Sequence, residues 1–69
     1  MTFWLDWRPG MRVVVRYRNP DGTLSDALGE LLVVDTDGVE IQTRRGPVRV
    51  AAADITLGKP VPPPPPRRR

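Results

Sequence analysis

The sequence predicts an all-β fold of five short strands, and three observations carry the expectation. Leu31-Leu32-Val33-Val34 is an apolar run too short for a stable helix and rich in β-formers. Val39, Ile41 and Thr43 alternate with Glu40 and Gln42, and Val13, Val15 and Tyr17 alternate with Arg12, Arg16 and Arg18. A period of two sends one set toward a core and the other toward water. Turn chemistry separates the runs: Pro9-Gly10, Asn19-Pro20-Asp21-Gly22, Asp37-Gly38 and Arg44-Arg45-Gly46.

Phe3, Trp4 and Trp7 place three of the four aromatics within the first seven residues. Aromatics bury large areas, so these are expected to cap an open end of the core. The competing expectation is an exposed contact surface for a partner, centred on Trp4 and Trp7. Residues 11–18 form the first strand, with Arg stems lying over apolar surface and pairing with Asp21, Asp26, Glu30 or Glu40. Thr23 to Ala27 reads as a loop or irregular strand, and Gly29 as a bend or bulge. The strand at 28–35 is apolar on both faces and belongs at the sheet centre. It pairs through an Asp37-Gly38 turn with a strand at 39–44. The fourth strand covers 47–51, with Pro47 at its start, where a missing N–H does no harm. Ala51 to Asp54 fits a single 3₁₀ turn. The fifth strand covers 55–58 and ends at Gly58.

Five such strands with a helical turn before the last make a small SH3-like barrel, whose partial closure protects its edges. Val15, Leu31, Val33, Ile41, Val50 and Ile55 are its expected core. Residues 1–58 thus form the barrel and residues 59–69 a tail. Pro62 to Pro66 favour an extended polyproline II segment, and Arg67-Arg68-Arg69 ends it. The tail reads first as an interdomain spacer, second as a proline-motif ligand, third as a weak electrostatic hook.

Composition excludes a good deal. Sixty-nine residues allow one domain with a modest core. With no cysteine and no histidine, disulfides, thiolate chemistry, a histidine base and the common zinc sites are absent. A cytoplasmic location is expected. The formal charge of +3 divides unevenly: residues 1–58 carry seven Arg and eight acids, while Lys59, Arg67, Arg68 and Arg69 make the tail basic. A nearly neutral body disfavours a nucleic-acid reader, which carries a basic face. Ser25 is the lone serine and has no base partner in the composition. Asp35 and Asp37 lack the spacing of a calcium loop, and the glycines do not form a phosphate cradle. No catalytic, metal or cofactor-binding constellation is visible. The candidate partner-binding residues are Trp4, Trp7, Arg44, Arg45, Arg67, Arg68 and Arg69, with Arg49 near the same turn as Arg44 and Arg45.

Arg12-Val13-Val14-Val15-Arg16-Tyr17-Arg18, Ser25-Asp26-Ala27-Leu28-Gly29-Glu30-Leu31, Thr43-Arg44-Arg45-Gly46 and Lys59-Pro60-Val61-Pro62-Pro63 occur in that order. Together they resemble the N-terminal SH3-like domain found ahead of the catalytic domain in a group of actinobacterial GNAT-family acetyltransferases. The resemblance implies that a proline-rich linker and an acetyl-CoA-dependent N-acetyltransferase domain follow the barrel. The family's Gly-rich acetyl-CoA loop has no counterpart here, so no cofactor residue carries over. The chain is then expected to be an N-terminal piece or a stand-alone product. It would act as a non-catalytic docking module toward its own catalytic domain, a second copy or a substrate protein. The alternative is a small barrel acting alone on nucleic acid or protein.

Overall fold

A computed structural model describes residues 3–62. Five antiparallel strands form one sheet: β1 (Arg12–Arg18), β2 (Leu24–Asp35), β3 (Gly38–Thr43), β4 (Gly46–Ala51) and β5 (Ile55–Pro60). Their order is β4-β3-β2-β1-β5. The expected all-β class holds, and the apolar strand lies at the centre. The sheet curls into a small barrel-like fold around Trp4, Trp7, Val13, Val15, Ala27, Leu31, Val39, Ile41 and Val50. Pro47 lies in β4, an edge strand, where a residue without an N–H is tolerated. The expected 3₁₀ turn spans Ala52–Asp54 and joins the two edge strands at one end, with the Ala52 N–H donating to the Asp37 carbonyl at 2.8 Å.

Several details depart from the sequence expectation. Val33 is 40% exposed, because the β2–β3 register shifts between Leu31 and Val33. The extra residue, Leu32, breaks the period of two, and Val34 rather than Val33 packs on the core. Ile55 is only partly buried, against the edge of that core. Both tight turns sit one residue earlier than the glycines suggest. Asp35 pairs with Gly38 and Thr43 with Gly46, leaving Thr36-Asp37 and Arg44-Arg45 as the loops. The cause is local side-chain bonding. Asp35 Oδ1 accepts from the Asp37 N–H at 2.8 Å, and Thr43 Oγ1 accepts from the Arg45 N–H at 3.2 Å. Of the two readings of Thr23 to Ala27, loop or irregular strand, the strand holds from Leu24 onward: β2 starts there and is 12 residues long.

The aromatic N-terminal segment forms a 3₁₀ turn, Phe3–Asp6, and packs as the cap that was expected. The Phe3 ring meets Trp4 and Trp7 edge-on, with centroids 5.1 and 5.7 Å away. Trp4 Nε1–H donates to the Asp35 carbonyl at 2.8 Å, which satisfies the polar end of a buried ring.

The last strand runs past Gly58. Val14 pairs with Lys59 and Val13 with Pro60, and the Val61 N–H donates to the Arg12 carbonyl at 2.9 Å. Lys59 and Pro60 therefore belong to the sheet rather than to a tail. Deletion after Gly58 is expected to lower the melting temperature by about 5 °C or more, as a strand end and its hydrogen bonds are lost. Deletion after Pro62 is expected to leave it unchanged, because a proline run makes no internal hydrogen bonds. Equal melting curves for the two truncations would refute the structural role of Lys59 to Val61. The polyproline stretch from Pro63 onward, and Arg67, Arg68 and Arg69, lie outside the described residues.

Candidate functional site

An open groove lies between the first half of β2 and the β3–β4 turn. Its walls come from different parts of the chain. Ser25, Leu28, Gly29 and Glu30 contribute from β2, Arg12 and Tyr17 from β1, Gln42 and Thr43 from the end of β3, and Arg44 and Arg45 from the turn. The groove exists because β2 is twice as long as β3, 12 residues against six. β3 pairs with β2 only from Glu30 to Asp35, so the stretch before Glu30 is paired to β1 alone. Gly29 lets this happen: the β3 main chain lies against the face of Gly29 on which a side chain would stand.

The groove is charged but not uniformly so. Asp26 is held by Arg16, with Arg16 Nε donating to Asp26 Oδ1 at 3.0 Å. That hydrogen bond holds the Asp26 carboxyl below the ordinary value of 3.8 and raises the Arg16 guanidinium. Arg44 and Arg45 occupy an exposed turn, and neither has an acidic partner among the described residues. Arg49, near them in sequence, is committed elsewhere, to Asp35 at 3.3 Å. Tyr17 is half-buried and packs on the core. At the far end of the β1–β2 hairpin, Asp21 is also held below its ordinary value, chiefly by the Thr23 hydroxyl, which donates to Asp21 Oδ1 at 2.7 Å.

Both carboxylates have folded values depressed below their unfolded ones. Their contribution to stability is therefore present above about pH 4 and lost as pH falls through the folded values. The melting temperature is expected to drop on acidification below about pH 4. Asp26→Asn is expected to flatten part of that slope, and an unchanged slope in the variant would show that the Arg16 pair adds nothing. The effect is small, since the pair is exposed and screened by solvent.

Of the residues singled out in the sequence, Arg44 and Arg45 line the groove. Trp4 and Trp7 do not. At 3% and 8% exposure they are core, and they do not present the aromatic contact surface that was the competing expectation. Arg67, Arg68 and Arg69 lie outside the described residues. Arg12, Tyr17, Leu28 and Gly29 were not singled out as site residues. The unequal strand lengths that bring them together were hidden because Thr23 to Ala27 is polar and resembles a loop. Among the described residues no cluster of acidic side chains is placed to hold a metal ion.

Residues 7–59 match the family described as the Rv0428c N-terminal Sm-like domain. The chain is also 44% identical over 61 residues to a protein of Mycobacterium tuberculosis (strain ATCC 25618 / H37Rv) named "Probable histone acetyltransferase Rv0428c". That match covers 75% of this chain and 20% of the relative, so the chain spans about a fifth of the length of the curated relative it matches. No solved structure matches the chain. The match to the family runs from Trp7, beneath the N-terminal cap, to Lys59 in the last strand, and so takes in all of the curled sheet but its final residue, Pro60. The chain belongs to the Rv0428c N-terminal Sm-like domain family.

Proposed function

We propose that this chain is a non-catalytic accessory module of an acetyltransferase, a barrel that docks against a protein and leaves chemistry to another part of the polypeptide. One observation carries the reading: its similarity to a probable histone acetyltransferase falls on a fifth of that protein, within the small β domain. Composition supports it, because a chain with no histidine and no cysteine has few means of activating a nucleophile. We read the catalytic portion as GNAT-type, the barrel as SH3-like and the residues after the sheet as a proline-rich linker to that portion. The 3₁₀ turn before the last strand and the tail composition support these readings. Among the described residues no helix is long and apolar enough to cross a membrane. A cytoplasmic location is part of the same proposal.

The test uses the 69-residue chain and a chimera. In the chimera the matched segment of the M. tuberculosis relative is replaced by this chain. The isolated chain is expected to show no saturable binding of acetyl-CoA by calorimetry, since it has no Gly-rich pyrophosphate cradle. The chimera is expected to match the intact relative in transfer of acetyl groups to histone, the activity its name assigns as probable, and the relative lacking the segment to fall below both. Micromolar binding of acetyl-CoA to the isolated chain, or full activity of the relative without its segment, would defeat the proposal.

A further inference from the structure

The free edge of β2 carries an inference that stands on the groove alone, whatever becomes of the acetyltransferase reading. Along β2, main-chain bonds to β1 fall on alternate residues. The Leu31 N–H donates to the Met11 carbonyl at 2.7 Å, and the Thr23 carbonyl accepts from the Asn19 N–H at 2.7 Å. The β1–β2 register carries that alternation through Ser25, Ala27 and Gly29. Leu24, Asp26 and Leu28 therefore turn their N–H and C=O groups away from β1. β3 does not reach them, because its pairing begins at Glu30. Two of the residues on this edge are exposed apolar ones, Leu24 at 51% and Leu28 at 46%. Folded sheets ordinarily cover, shorten or charge such edges.

We propose that the edge from Leu24 to Leu28 is a binding site for an extended acidic peptide segment of a partner protein, which adds a strand to β2 along the groove. An extended main chain is the ligand whose donors and acceptors match those of Leu24, Asp26 and Leu28. The charge of the groove selects an acidic one. Arg12, Arg44 and Arg45 line it, Asp26 is neutralised by Arg16, and Glu30 is the remaining acid. A second copy of the chain fits poorly, since pairing β2 with β2 would bring two sets of Arg44 and Arg45 toward the same seam. A run of prolines fits poorly as well, having no N–H to give to the Asp26 carbonyl. Single-stranded nucleic acid lacks the alternating main-chain donors that this edge would pair with.

The experiment follows the backbone amides of the full chain by NMR during titration. The probe is a short peptide that alternates valine and threonine and ends in two glutamates. Shifts and slowed amide exchange are expected at Leu24, Asp26 and Leu28. Methylating the peptide nitrogens at every valine, or instead at every threonine, is expected to abolish binding in one case and spare it in the other, because a strand donates to one neighbour through alternate residues. Replacing the glutamates by lysines is expected to weaken binding about tenfold. The double variant Arg44→Glu, Arg45→Glu changes an exposed turn and is expected to reverse that preference. No shifts at millimolar peptide would overturn the proposal. So would equal binding of both methylated peptides, an unchanged charge preference in the variant, or displacement of the peptide by a single-stranded RNA oligonucleotide.

Discussion

Ile41→Ala is expected to lower the unfolding free energy by about 2–5 kcal/mol, measured by denaturant titration or a thermal melt. Ile41 is completely buried and sits in the middle of β3, opposite Leu31 on one side and Val48 on the other. Truncation leaves a void where three strands meet, and strands held in a ladder cannot easily close it. Small domains have about 5–15 kcal/mol of stability, so the loss would be a large share of the total. Val33→Ala is the matched control. It lies two residues beyond Leu31 on β2 but beyond the bulge, and its exposure predicts an effect of about 0.5 kcal/mol or less. If Val33→Ala proved as costly as Ile41→Ala, the register across the bulge would be wrong, because a slip of one residue exchanges the two faces.

That contrast also marks how far the sequence could be read. Ile41 announces its burial because its neighbours, Glu40 and Gln42, alternate cleanly with it. Val33 does not, because Leu31 to Val34 is apolar throughout and a continuous run carries no phase. Only the structure reveals that Leu32 is the extra residue. The turns were legible as turns, but their placement depended on the side chains of Asp35 and Thr43, which bond to the main chain two residues ahead and set the loop before the glycine. The groove was the least legible feature. Arg44 and Arg45 could be picked out as a cluster, yet their neighbours Arg12, Tyr17 and Leu28 are remote in sequence. They meet because a polar segment, Leu24 to Ala27, is drawn into a strand by its pairing with Arg18 to Val15. Cross-strand pairs here override local propensity: Asp26 opposite Arg16 gains an ion pair, and Ala27 opposite Val15 is buried.

Gly29→Ala is expected to be as damaging as the loss of a core side chain, about 3 kcal/mol or more, although it adds only a methyl group. A β-carbon built at Gly29 would overlap the Gln42 carbonyl oxygen, come within 2.8 Å of the Gln42 carbonyl carbon and 3.3 Å of the Thr43 Cα. These are main-chain atoms of β3. They can yield only if β3 moves relative to β2, which disturbs the pairing of Glu30 with Gln42 and of Leu31 with Ile41. The same movement would reshape the groove, since Gln42 to Arg45 form one wall and Gly29 part of the other. Gly22→Ala separates this effect from ordinary glycine strain. Gly22 has a φ of 89° in the β1–β2 turn, but a β-carbon there meets nothing within 4 Å. Its replacement should cost about 1 kcal/mol, through the backbone alone. The expected order is therefore Gly29→Ala well below Gly22→Ala in melting temperature, with amide shifts in the Gly29 variant concentrated at Glu30, Gln42 and Thr43. A Gly29→Ala protein as stable as Gly22→Ala would mean that β3 does not press on β2 at this point, and the close approach that ends their pairing and opens the groove would have to be abandoned.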